Sequence, residues 1–222
     1  MAVYIWAKDG EWKPDANHTR FYFPLESNAN DYSWRTDITI TNTSTNITYA
    51  ELWWVKCANG NGSNAKITFS PNWIINRNTD TYSTFSLLFY AKSYSTGSSY
   101  TKIMEWAIQN TCYITANFQS ASPLASVSTN QRHLYTVTQN KNTQLVKAYV
   151  DWVFVSQWTD TYAPRWNWAN SYEQAQNLFC NRWWTQQFFN WWVREFLWEN
   201  IEWTAEQVAT YRTWIKKKLW IS

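Results

Sequence analysis

Glycine is nearly missing from this chain. Only 4 glycines occur in 222 residues, where ordinary usage of about 7% would give roughly 16. Charge is also sparse, at 16% Asp, Glu, Lys and Arg with a net of +3, against a usual ~25%. Apart from Lys216-Lys217-Lys218 there is no tight basic run, so nothing argues for a nucleic-acid partner. No stretch approaches the ~18 uncharged apolar residues that would span a bilayer. Met1 to Gly10 lacks a basic segment followed by an apolar core, so no secretory leader is expected. The three cysteines, Cys57, Cys112 and Cys180, lie far apart and form no CxxC. They are too few for a disulfide scaffold and too dispersed for zinc. We read them as buried reduced thiols; one disulfide with one thiol left over is the alternative. With His18 and His133 the only histidines, a cysteine or serine nucleophile has little choice of base.

What the chain has in excess is tryptophan, 19 residues of it. Tyr and Phe fall in apolar runs such as Phe21-Tyr22-Phe23 and Phe85-Ser86-Leu87-Leu88-Phe89-Tyr90. The tryptophans instead follow turn residues (Ser33-Trp34, Asn72-Trp73, Asp151-Trp152, Asn167-Trp168, Asn190-Trp191) or stand in the doublets Trp53-Trp54, Trp183-Trp184 and Trp191-Trp192. Asp151-Trp152 separates Ala148-Tyr149-Val150 from Val153-Phe154-Val155. A two-residue hairpin of the primed type needs φ > 0 at both central positions and favours Asp-Gly. The placement therefore reads as glycine at most tryptophan positions: UGA codons that the source reads as glycine and the written translation renders as tryptophan. The competing reading is a Trp-rich surface whose indoles stack on sugars. Sugar-binding aromatics would gather on one face rather than follow turn signals.

From Phe21 to about Ile201 the pattern is all-β, with short β-branched and aromatic runs between Asn/Ser/Thr turns. Expected strands are Phe21–Leu25, Asp37–Thr41, Lys66–Phe69, Thr84–Ala91, Tyr113–Phe118, His133–Gln139, Gln144–Tyr149, Val153–Ser156 and Val193–Leu197. Asn42–Thr48, Asn59–Asn64, Ser93–Ser99 and Ser120–Asn130 read as loops. The glycosylation sequons at Asn17, Asn42, Asn46 and Asn61 are matches that chance supplies in so Asn/Thr-rich a chain. Thr204-Ala205-Glu206-Gln207 is a capping-box pattern. Val208, Tyr211, Ile215 and Leu219 follow at helical spacing, with Lys216–Lys218 closing the last turn toward the helix dipole. The expected architecture is an antiparallel two-sheet jelly-roll sandwich over 21–203. An irregular extension (1–20) precedes it and an amphipathic helix (204–222) follows.

With glycine read at the tryptophan positions, three stretches resemble the laminin-G-like domains of the concanavalin-A-like lectin/glucanase superfamily. Phe21 to Trp34 is similar to that family's opening strand and "dGNANDYSG" loop. Val146 to Val155 is similar to its "lyvdGvlv" hairpin. Phe179 to Phe196, followed by Thr204 to Gln207, is similar to its closing glycine-rich loop, strand and "lsaeEi" helix. Arg132-His133-Leu134-Tyr135 departs from the family's Trp-His-His-Val strand, and the final helix runs on past the usual end. The resemblance implies that the first and last strands, Phe21–Leu25 and Val193–Leu197, lie side by side and antiparallel.

Glucanases of this superfamily carry Glu-x-Asp-x-Glu or a close variant on one strand, which places a carboxylate pair for glycoside cleavage. No such motif occurs here. Glu199, Glu202 and Glu206 form the nearest cluster and read as solvated helix-start acids. Catalysis is not expected. The resemblance implies binding of a cell-surface glycan or a partner protein, in some members through calcium. Asp31, Asp37, Asp80, Asp151 and Asp160 are scattered oxygen donors that no single loop concentrates, whereas calcium takes six to eight. The best ligand loop is Asp160–Tyr172, which offers Tyr162, Arg165, Asn167, Asn170 and Tyr172 for stacking and hydrogen bonding. Two functional classes follow. One is a glycan-binding or adhesion module, the other a purely structural subunit of a phage virion or surface assembly, and a homo-oligomer suits both.

Overall fold

The computed structural model describes residues 12, 17–33, 39, 41–61, 63–70, 82–91, 101–102, 113–114, 131–140, 142–159, 176–178 and 191–221. In these, the strands are β1 (Thr19–Phe23), β2 (Thr41–Thr45), β3 (Thr48–Leu52), β4 (Val55–Asn59), β5 (Lys66–Ser70), β6 (Tyr82–Ala91), β7 (Thr101–Lys102), β8 (Tyr113–Ile114), β9 (Arg132–Asn140), β10 (Leu145–Val150), β11 (Val153–Thr159), β12 (Gln176–Leu178) and β13 (Trp191–Glu199). One helix, α1 (Ala205–Leu219), follows. The large sheet runs β11-β10-β9-β6-β13-β4-β3, a smaller one runs β12-β5-β2, and β7 pairs β8. Every pairing among the described residues is antiparallel. The chain is thus an all-β antiparallel sandwich with a C-terminal helix.

The first and last strands do pair. Tyr22 faces Leu197 and Phe23 faces Phe196 in an antiparallel register. β13 holds β1 along Phe196–Glu199 and β4 along Trp192–Val193, so two strands share one of its edges in succession. Both faces of this central region are buried. On one, the Phe21, Phe23 and Phe196 rings pack together with centroids 5.0–6.4 Å apart. On the other, Tyr22, Leu88, Leu134, Tyr149 and Leu197 meet Val208, Tyr211 and Ile215 of α1. Period-2 alternation in the strands and 3.6 periodicity in the helix place these residues. Trp12, buried at 4% exposure, joins the same cluster, edge-on to Tyr22 and Tyr211.

α1 has the cap that its sequence announces. The Thr204 side chain accepts from the Gln207 N–H, and the Gln207 side chain accepts from the Thr204 N–H. Such a cap contributes about 1 kcal/mol. The lysines occupy the last turn, but Lys218 does more than solvate it. Its ammonium lies 2.9 Å from the Glu195 carboxylate, which is fully buried on β13.

Three expectations are corrected. Asn42–Thr48 is not a loop: Thr41–Thr45 is a strand on the edge of the small sheet, and β3 begins at Thr48. Its polar Thr/Asn run hides the strand because an exposed edge needs no apolar face. Glu199 is not a solvated helix-start acid. It is buried and accepts from Thr19 Oγ1 at 3.0 Å and Trp203 Nε1 at 2.6 Å. Glu202 is held between Lys147 Nζ (2.9 Å) and Asn140 Nδ2 (2.8 Å). Glu206 is exposed in the first turn, as expected.

The tryptophans divide into two sets. Trp53, Trp54, Trp152 and Trp220 have φ of 49°, 68°, 70° and 53°, half of the positive-φ non-glycine residues among those described. Trp53-Trp54 and Asp151-Trp152 are the central pairs of two-residue hairpins closing β3–β4 and β10–β11. Trp220 is the left-handed cap of α1, its N–H bonded to the Lys216 carbonyl. Those are the places where glycine is preferred. By contrast, Trp198 and Trp203 are buried and Trp214 packs its ring against Tyr211, none with positive φ. The expectation that most tryptophans mark glycine positions does not extend to these. Trp34 and Trp168 lie outside the described residues.

Candidate functional site

Tyr162, Arg165, Asn167, Asn170 and Tyr172 all lie outside the described residues. What is described are the anchors of their loop: β11 ends at Thr159 on the edge of the large sheet, and β12 starts at Gln176 on the edge of the small one. The two described strand ends that bound residues 160–175 thus belong to different sheets.

A second concave place is fully described. Between α1 and the large sheet lies a cleft of about 430 Å³, within the usual size of ligand pockets, about 300–1,000 Å³. Leu88 of β6 and Leu134 of β9, cross-strand partners, contribute its apolar lining. Trp53 lines it from the tip of the β3–β4 hairpin and Asp151 from the tip of β10–β11. Arg212 and Lys216, four residues apart and so on one helix face, line it from α1. Arg132, at the start of β9, donates to the carbonyls of Leu52 (3.1 Å) and Trp53 (2.8 Å) and lies 5.2 Å from the Trp53 ring centre. Those bonds tie the β3–β4 hairpin to β9.

Asp151 is more than a turn residue. Its N–H donates to the Leu134 carbonyl, and its carboxylate accepts from the Leu134 N–H at 2.9 Å and from His133 Nδ1 at 2.8 Å. The Arg212 guanidinium stacks on the Trp152 ring, 3.0 Å from its centre. Burial lowers the pKa of Arg212 and of Arg132, opposed at Arg212 by Asp151 and at Arg132 by Cys57; both guanidiniums remain cationic near neutral pH. Three cations thus face one carboxylate that is already engaged by two donors. Sequence reading missed this cleft. Arg132-His133 registered only as a departure from a family strand, and Lys216 only as a helix-capping charge. The i, i+4 spacing of Arg212 and Lys216 was the one available signal, and it does not reveal which strand they face.

No group of three or more His, Cys, Asp or Glu side chains suited to a metal ion is found among the described residues. Asp31 is engaged within its own loop, accepting from the N–H groups of Tyr22 (2.8 Å) and Ser33 (3.2 Å). Asp37, Asp80 and Asp160 lie outside the described residues. Cys57 is buried and reduced, its thiol pushed up to about 11 by burial; Cys112 and Cys180 are not among the described residues. No helix among the described residues is long and apolar enough to cross a membrane.

The chain matches no protein-family model and no curated protein sequence. Its fold does match solved structures. Domain 4 of AbnA, a GH43 extracellular arabinanase from Geobacillus stearothermophilus, solved in complex with arabinotriose, aligns with a TM-score of 0.61 and 16% identity. The alignment covers 87% of this chain and 98% of that one. The binding domain of botulinum neurotoxin DC, in complex with rat synaptotagmin II, aligns with a TM-score of 0.65 and 10% identity over 90% of this chain and 52% of that one. A botulinum neurotoxin type C structure, whose cell entry is described as dependent on two ganglioside molecules, aligns at 0.64 and 11% identity over 89% and 51%. The chain therefore spans about half the length of the toxin chains. At these identities the likeness establishes a shared β-sandwich fold, one that recurs in domains that bind sugars or a protein receptor.

Proposed function

We propose that this chain is a non-catalytic glycan-binding or adhesion module of laminin-G-like type, carried in many copies on a phage virion or other surface assembly. One observation carries the reading. Domain 4 of the arabinanase, solved with arabinotriose, is matched over 98% of its length by 87% of this chain. The absence of a Glu-x-Asp-x-Glu strand and the structural engagement of Glu199 and Glu202 support binding without hydrolysis. Within this reading the loop 160–172 contributes aromatic faces through Tyr162 and Tyr172 and donors through Arg165, Asn167 and Asn170. Stacking of this kind adds roughly 0.5–1.5 kcal/mol beyond area burial, if it behaves like aromatic pairing. A single site is then weak, and linked copies gain avidity without new contacts.

We also propose that glycine occupies positions 53, 54, 152 and 220 in the protein made by its source, through UGA codons read as glycine. The left-handed backbone at all four supports this.

The functional test compares monomeric and clustered protein on host-cell glycans, with Tyr162→Ala and Arg165→Ala as controls. Clustered wild type is expected to bind well above both the monomer and the double variant. Binding by the clustered double variant equal to that of wild type would remove the loop from the site. Stable oligomers with no glycan affinity would leave the structural-subunit reading in its place.

A further inference from the structure

We propose that the cleft between α1 and the β3–β4 and β10–β11 hairpins binds the acidic unit of a glycan, a sugar bearing a carboxylate. This rests on the glycan-binding reading above and names a site and a ligand class for it. The cleft brings together Arg132, Arg212 and Lys216 around an apolar lining of Leu88 and Leu134. These three come from a strand start and two turns of one helix, so the cluster is not a run of neighbouring lysines. The one carboxylate present, Asp151, is held by the Leu134 N–H and His133. Its carboxylate is partly committed to the hairpin, and the lining cations outnumber it.

The chemistry selects the ligand. A guanidinium presents a planar fork that matches a carboxylate in a bidentate pair. Arg212 reaches the cleft from α1 with its guanidinium against the Trp152 ring and within the electrostatic reach of Asp151, and a planar fork held by its face presents its N–H edge to an anion. Lys216 adds a point charge one helical turn on. Leu88, Leu134 and the Trp53 ring supply apolar area for the C–H face of a pyranose. A neutral sugar would leave the partly desolvated Arg132 and Arg212, with Lys216 beside them, balanced by Asp151 alone. A bare inorganic anion would leave the apolar lining unused. With glycine at 53 and 152 the Trp53 ring and the Trp152 face are lost, while Arg132, Arg212, Lys216, Leu88 and Leu134 remain in the lining, so the site rests on those five side chains.

The experiment titrates the full chain with a glucuronic-acid-terminated oligosaccharide, its neutral glucose-terminated counterpart and inorganic sulfate, by calorimetry or ligand-observed NMR. The acidic oligosaccharide is expected to bind about tenfold more tightly than the neutral one, the scale of a charge-assisted hydrogen bond. Its advantage should shrink as salt is raised. Arg212→Gln and Lys216→Gln, each checked for unchanged circular dichroism, should each remove most of that preference. Equal affinity for acidic and neutral sugars overturns the cleft assignment while the general glycan reading stands. A charge preference unaffected by both variants places the acidic site elsewhere and overturns it too. Sulfate binding as tight as the acidic sugar makes the cleft a simple anion site and overturns the sugar assignment. No binding to any sugar overturns both readings together.

Discussion

Trp54→Gly and Trp220→Gly are expected to stabilise this protein, and Trp203→Gly to destabilise it severely. The same substitution should thus change sign with position. Trp54 and Trp220 are 91% and 95% exposed, so their indoles contribute little packing. Both have left-handed backbones, which cost a non-glycine residue about 1–2 kcal/mol. Each replacement should therefore gain about 1 kcal/mol, or roughly 2–4 °C in Tm for a domain of this size. Trp54→Ala is the control: it keeps a Cβ at positive φ and should gain nothing comparable. Trp203, at 2% exposure, contacts the Trp12 and Tyr211 rings and donates to Glu199. Removing a buried indole costs about 3–5 kcal/mol, and the lost Trp203–Glu199 hydrogen bond adds to that. Urea denaturation of the variants reads all of these. Loss of stability in both turn variants would mean that the indoles there pack in a way their exposure denies.

The second large effect concerns the buried carboxylate beneath α1. Glu195 accepts from the Tyr22 hydroxyl and lies 2.9 Å from Lys218 and 3.2 Å from Arg194. Lys218 also contacts the Tyr22 hydroxyl and lies over the Trp214 ring. Burial raises the Glu195 pKa, opposed first by Lys218 and then by Arg194. Lys218→Met removes the stronger opposing charge and leaves a desolvated carboxylate, at a cost of about 3 kcal/mol. Glu195→Gln combined with Lys218→Met should cost less than the two changes separately, because the pair is coupled. The sign with pH follows. In Lys218→Met the folded-state pKa of Glu195 rises further above its unfolded value. Stability relative to wild type therefore falls as pH climbs from the unfolded pKa through the folded one, and recovers toward acid. A deficit that is constant from pH 4 to pH 8 would show that Lys218 acts through packing alone.

How far the chain could be read without coordinates depends on where its apolar signal lies. Tyr22-Phe23 and Phe196-Leu197 are strongly patterned as strands, and the pairing that the family resemblance implies for them is the pairing found. The Asp151-Trp152 turn was legible because a residue with a costly φ stood between two strand patterns. The α1 cap was legible because its bonds are local in sequence. β2 was not, since Thr41–Thr45 carries no apolar residue to mark a face. Glu199 and Glu202 were misread because their partners, Thr19 for one and Lys147 for the other, are brought in by tertiary pairing. The cleft escaped for the same reason: Arg132 and Arg212 are distant in sequence and meet only once α1 lies across the large sheet.

The central claim is that the chain holds glycans without cutting them. The direct measurement is a glycan array probed with the clustered chain, covering neutral arabinan oligosaccharides and acid-bearing cell-surface glycans, with each retained glycan eluted and weighed. The account predicts retention of a defined subset, every member recovered at its original mass. Retention of none, or recovery of shortened products, would contradict it.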